Sequence, residues 1–224
     1  MEKAMHASLR ALIPCALLGC LFALLGVPPV LAADHGAKPV FLYTRYYNAV
    51  GENRYLPDGT FKDLLQRLGG DFEVRANSDP LTEASLRDVK VILIANPSDK
   101  AVGANPAPHH ITTADRALLN RFIRAGGALI LTENQENHNV EIEDTNLLMK
   151  GFGLQATNLY TDGKLLVLPT ATPIIGGLRW AYFTGNSVLV ESGHPAKPRA
   201  LVMNDLSQKP MGGPRNQAGC LLAT

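Results

Sequence analysis

Cysteine is scarce in this chain, and its placement matters more than its number. Only three of the 224 residues are cysteine, and Cys15 and Cys20 both fall within the first 33. Cys220 stands alone in the remainder, so neither an intrachain disulfide nor a cysteine-based metal cluster can be built there. An excess of either charge is also missing. The 21 Lys and Arg residues against 20 Asp and Glu leave a net charge of +1, with both signs spread along the chain. That balance excludes a basic nucleic-acid footprint and gives no reason to expect an acidic surface as partner. After residue 33 no apolar run is long enough to cross a bilayer. No internal repeat, low-complexity tract or clear linker divides the chain, and neither an H-E-x-x-H helix nor an EF-hand loop occurs.

What is present begins with a leader. Lys3 and Arg10 precede an apolar run of about 17 residues, after which Pro28-Pro29 and the small residues around Ala32 and Ala33 follow. That order predicts a secretory signal peptide over residues 1–33 and export to the periplasm or beyond. Membrane contact would arise only through this segment if it stays uncleaved. "LLGC", ending at Cys20, has the outline of a lipoprotein signal, but the apolar run continues past it. Residues 34–224, about 190 of them, are enough for one domain with a sizeable core.

Hydrophobic periodicity then gives the elements. Val40 to Tyr43 reads as a strand, and "GTFKDLLQRLGG" as a helix capped by Thr60 and stopped at Gly69-Gly70. "DFEVRA" alternates like a strand, while "VKVILIANP" and "GGALIL" read as buried strands. Between these two, Thr112 and Asp115 have capping-box spacing, and Leu118, Leu119, Phe122 and Ile123 form one helical stripe that Gly126-Gly127 ends. The pattern predicts an α/β domain: an open, mostly parallel, doubly wound (flavodoxin-like) sheet with helices on both faces. Beyond Asp144 the signals are less regular. "DTNLLMKGFGL" suggests a short helix; "KLLVLP", "WAYF", "SVLVES" and "RALVMND" suggest strands or edge pieces; and "GCLLAT" reads as the beginning of a further strand.

In such sheets ligands gather beyond the carboxyl ends of the strands. Three loops would meet there: "TRYYNAVGENRY", "NPSDKAVG" and "TENQENHN". Arg45, Tyr46, Tyr47 and Asn48 in the first suit a sugar or carboxylated sugar, by stacking and bidentate hydrogen bonding. Asn96, Glu133, Asn134 and His138 complete the expected ligand-binding set. The stretch Thr132 to Asp144, "TENQENHNVEIED", holds five carboxylates, four amides and one histidine. Glu133, Glu136, His138, Glu141 and Asp144, with His109 or His110 reaching across, offer cation ligands, but their spacing fits no defined motif. A solvated rim is the commoner origin of such a loop, so neither a metal nor a cofactor is expected.

The order of elements resembles the class I glutamine amidotransferase-like superfold, and within it secreted bacterial domains close to the ThuA-like proteins. "FLYTRYYNA", "GTFKDLLQRLGGDFEV", "LTEASLRDVKVILIANP" and "ITTADRALLNRFIRAGGALILTEN" carry the resemblance, extended by "NLLMKGFGL" and "TPIIGGL". It implies a nucleophilic cysteine in a tight Gly-x-Cys-x-Gly turn after "ALIL". Thr132, Glu133 and Asn134 occupy those positions, and the later His-Pro-Glu survives only as His194-Pro195-Ala196. A strand of the kind "GKGRVVV" follows in such domains, whereas this chain ends at Thr224, so the resemblance implies a sheet edge left unpaired. Glutaminase activity is therefore not expected. The reading is a non-catalytic exported domain that binds a small molecule, a glycan or a protein partner at the carboxyl edge. A metal- or carboxylate-dependent hydrolase or isomerase of carbohydrates, using Glu133, Glu136 and His138, is the alternative.

Overall fold

The computed structural model describes residues 37–134, 138–161, 164–168, 170–182, 185–204 and 219–224. The signal-peptide expectation lies outside these residues. Residues Lys38–Thr224 form one compact unit. Its first half alternates strand and helix: β1 (Val40–Thr44), α1 (Lys62–Leu68), β2 (Glu73–Asn77), α2 (Glu83–Leu86), β3 (Val89–Ala95), α3 (Thr113–Arg124) and β4 (Ala128–Thr132). The four strands pair in parallel in the order β2-β1-β3-β4. Successive side chains of a strand point to opposite faces, and the two cores divide accordingly. Val40, Leu42, Ile92 and Ile94 pack with Leu86 of α2 and Leu118 and Leu119 of α3. Phe41, Tyr43, Leu93 and Ala95 pack with Leu65 of α1. Right-handed crossovers require this split, because the chain moves one way to β2 and the other way to β3 and β4. The α/β, doubly wound expectation is met.

Local sequence explains most element ends. Thr112 and Asp115 cap α3 reciprocally, at 3.1 Å and 2.9 Å. Gly126 takes φ +95°, and a Cβ at Gly127 would lie 2.3 Å from the Phe122 ring, so both glycines are required by the stop. Thr82 and Ser85 form the same box on the one-turn helix α2, which the hydrophobic pattern did not flag. Two expectations need correction. Thr60 does not cap α1; its hydroxyl donates to the Arg54 carbonyl, and Phe61 holds the N-cap position. β4 is not buried on both faces, because it is the sheet's edge strand and joins only the core on the α3 side, leaving Ile130 exposed.

After β4 come α4 (Glu143–Met149), a 3-10 turn (Lys150–Phe152) and six strands: β5 (Leu154–Thr161), β6 (Lys164–Val167), β7 (Arg179–Tyr182), β8 (Gly185–Val190), β9 (Ala200–Asn204) and β10 (Gly219–Ala223). β5-β8-β10-β9 form a second sheet whose described pairings are antiparallel, and β6-β7 form a hairpin. β10, the "GCLLAT" strand, pairs with β8 on one side and β9 on the other. Among the described residues no helix is long and apolar enough to cross a membrane.

Candidate functional site

The order β2-β1-β3-β4 places the topological switch point between β1 and β3, the crevice position favoured for ligands in open α/β sheets. The three loops anticipated from the sequence converge there, and buried amides are prominent among the residues that join them. Asn96 turns the chain out of β3 with φ 47°, a left-handed conformation that asparagine tolerates better than most residues. It is 1% exposed. Its Oδ1 accepts the Asn134 N–H at 2.8 Å, and its Nδ2 donates to the His138 and Asn139 carbonyls at 3.4 and 3.3 Å. Asn48 Nδ2 donates to the Ala95 and Asn96 carbonyls, both at 2.9 Å. His138 Nδ1 lies 2.9 Å from Asn134 Oδ1. Buried amide groups must find partners, and in these contacts the partners are the protein's own loops.

The aromatic and basic candidates lie at different depths. Tyr47 is buried; burial above all, then the nearby Asp115 charge, drives its pKa far up, although the hydroxyl has no partner in hydrogen-bond geometry. Tyr46 is half-buried and stacks on His109, ring centroids 4.2 Å apart and planes within 8°. Arg45 Nη2 donates to the Glu52 carbonyl at 2.9 Å, while its buried Nε has no partner.

Pattern reading missed the charged pair beside them. Glu52, 5% exposed, accepts the Arg54 backbone N–H and Nε at 2.9 Å each. The Arg54 hydrogen bond holds the Glu52 carboxyl below its usual range. Arg54 Nη2 also reaches the His138 carbonyl at 3.1 Å, tying the first loop to the third. Asn139 is joined to Lys100 through Lys100 N (2.8 Å) and Lys100 O (2.9 Å). Glu52, Arg54, Asp99, Lys100 and Asn139 line an open crevice of about 480 Å³ over the switch point. A second groove of about 480 Å³, between α4 and strands β5 and β8, is walled by Leu147, Leu154 and Leu189 and lies apart from these loops.

Glu133 follows β4 directly, at the position where the resemblance noted in the sequence implies a nucleophile. Its Oε1 is buried without a hydrogen-bond partner; burial, then the charge of Glu141, raises its pKa to about 7. Glu141 accepts the Asp144 and Thr145 N–H groups at 2.9 and 3.3 Å, capping the first turn of α4. Among the described residues, His110, Glu141 and Asp144 are the group whose ligand atoms approach within 4.8 Å, a spacing that one cation could bridge. Internal partners already close it. His110 Nδ1 is 3.0 Å and Arg116 Nη1 3.6 Å from Asp144, and both Glu141 oxygens hold backbone N–H groups. Glu133 and His138 do not join this group, and Glu136 lies outside the described residues.

Cys220, the sole thiol after residue 33, is buried in β10 against the Leu222 carbonyl, and burial pushes its pKa up. His194 packs on Gly153 and accepts the Ala196 N–H at 3.1 Å.

A solved structure named "mmIFT52 N-terminal domain" matches 73% of this chain and 72% of its own, with TM-score 0.53 and 19% identity. The likeness is one of fold. A putative ThuA-like protein from Bacteroides uniformis ATCC 8492 is 12% identical over 87% of this chain and 80% of its own, with TM-score 0.47. No protein-family model and no curated protein matches the chain. The crevice residues Glu52, Arg54, Lys100 and Asn139 all lie in or beside the loops singled out from the sequence. Their pairing across the loops leaves no local pattern by which to find them.

Proposed function

We propose that this chain is an exported, non-catalytic domain of the amidotransferase-like kind that binds a small polar ligand, a sugar or sugar acid, in the switch-point crevice. The crevice itself carries the reading. Three loops braced by buried amides form its walls, and its rim presents the largely exposed ammonium of Lys100 beside Asp99 and the Glu52–Arg54 pair. Paired cations and carboxylates with an adjacent amide suit hydroxyl groups and one carboxylate, and the exposed Lys100 ammonium provides the charged donor for the latter, Arg54 being held by Glu52 and the His138 carbonyl. Glu133 in place of a nucleophile supports binding without acyl transfer.

The test is a thermal-shift and calorimetric screen of the full chain with glucuronate, galacturonate, glucose, calcium and zinc. A sugar acid is expected to raise the melting temperature, and Lys100→Ala is expected to weaken its binding about tenfold, the loss of one charge-assisted contact. If no sugar moves the melting temperature, the small-ligand reading fails and a protein partner at this edge takes its place. A shift with zinc alone would revive the hydrolase alternative.

A further inference from the structure

We propose that the cleft between the two sheets binds a medium-chain carboxylic acid, with the chain among leucines and the carboxylate on Arg124. This goes beyond the sugar-binding reading and does not depend on it. β4 ends the parallel sheet and turns Leu129 and Leu131 to the α3 side. The second sheet does not close against them. A cavity of about 310 Å³ lies between, with Leu129 and Leu131 on one wall and Val188 of β8 and Leu222 and Ala223 of β10 on the other. Leu148 of α4, 1% exposed, also lines it.

The chemistry of the walls selects the ligand. Eleven of the twelve lining residues are apolar, and the Thr224 hydroxyl is the single polar side-chain group among them. An ordered water needs about two to four polar partners, whereas apolar cavities take up hydrophobic guests. A group the size of water fills about 30 Å³, so the space suits a chain of on the order of ten carbons.

The head group follows from Arg124. Ile123 lines the cavity, and Arg124 is the next residue, the last of α3. Its guanidinium carbon stands 5.8 Å from the ring centre of Phe152, itself a lining residue. Arg124 is exposed, and among the described residues it takes part in no ion pair. The other arginines of α3 are engaged: Arg121 by Glu83, and Arg116 by Asp144 and the Ile111 carbonyl. A guanidinium resting on an aromatic ring uses its face there and keeps its N–H edge for a carboxylate. An apolar space beside such a cation complements an anionic amphiphile. Chain burial supplies the affinity, and the charged pair fixes which end meets solvent.

Calorimetric titration of the full chain with decanoate, below the concentration at which it forms micelles, tests the site. One equivalent is expected to bind, and the NMR methyl signals of Leu129, Leu131 and Val188 are expected to shift. Arg124→Gln, at an exposed position, should weaken decanoate about tenfold, the loss of one charge-assisted pair, and leave the binding of 1-decanol unchanged. Val188→Phe fills the cavity and should abolish binding of both; should that variant fold poorly, the arginine variant still decides. Absence of saturable decanoate binding, or an affinity that Arg124→Gln leaves unmoved, overturns the proposal. Methyl shifts confined to Leu147 and Leu189 would place the chain in the groove beside α4 and overturn it too.

Discussion

The two sheets hold their strands in different ways. In the parallel sheet, β1 is buried along its whole length and β3 over its last four residues, with helices on both faces. In the antiparallel sheet, Leu189 of β8 and Met203 of β9 are 56% exposed, and Val202 and Leu221 point into a smaller core shared with Trp180 and Ile175. A parallel sheet needs cover on both sides, whereas an antiparallel one tolerates a wet face. Global stability should therefore reside in the first sheet. Ile92→Ala, at a fully buried position, is expected to cost about 4 kcal/mol, and Leu189→Ala less than about 0.5 kcal/mol. Urea unfolding of the two variants checks this, and equal losses would break the contrast.

The next contrast lies within the switch-point loops, between backbone strain and side-chain bracing. Asn96→Ala removes three hydrogen bonds and leaves alanine at φ 47°, for an expected loss of about 3 kcal/mol. Asn96→Gly restores the backbone freedom but not the bonds, so it should recover about 1 kcal/mol of that loss. If the two variants unfold together, the conformation at residue 96 carries no strain of its own.

That residue also shows where sequence reading ends. Asn96-Pro97 was legible as a strand terminus, and the convergence of its loop with those after β1 and β4 followed from the α/β alternation. The partners of its side chain did not, because Asn134, His138 and Asn139 are about 40 residues away and no local rule joins an amide to a distant carbonyl. The same holds for Arg54 and the third loop, 84 residues apart. β4 was misjudged for a related reason: "ALIL" is equally apolar whether or not another layer covers it. Of the strands after Asp144, β5 ("LQATNLYT") went unrecognised and the others were legible one by one, but their antiparallel order depends on pairings such as β10 between β8 and β9.

Glu133 and Glu52 give the molecule opposite responses to pH. Burial raises Glu133 to about 7 in the folded protein, so its contribution is complete below the unfolded value of 4.5 and is lost as pH rises towards 7. At full shift this amounts to roughly 3 kcal/mol, and the half-buried side chain and its neighbours reduce it to about 2. Glu52 is lowered by Arg54, so its contribution is present above 4.5 and disappears as the pH falls through its folded value. Stability measured by denaturant titration should thus fall on both sides of a maximum near pH 5. Glu133→Gln should flatten the alkaline side, and Glu52→Gln the acid side. A variant that flattens the wrong limb would reverse the assignment of the two groups.

The smallest expected difference separates two helices that carry the same cap. Thr112 and Asp115 close α3, three turns long and docked through Leu118 and Leu119; Thr82 and Ser85 close α2, a single turn docked through Leu86. An N-cap threonine satisfies N–H groups that the helix leaves open, and replacing one by alanine costs about 1 kcal/mol. Thr112→Ala should show that full loss, because α3 cannot unwind without exposing buried leucines. Thr82→Ala should cost only a few tenths of a kcal/mol, since a one-turn helix can fray locally while Leu86 stays against the core. Equal losses in the two variants would mean that α2 is held as rigidly as α3, and that the cap rather than the docking fixes its conformation.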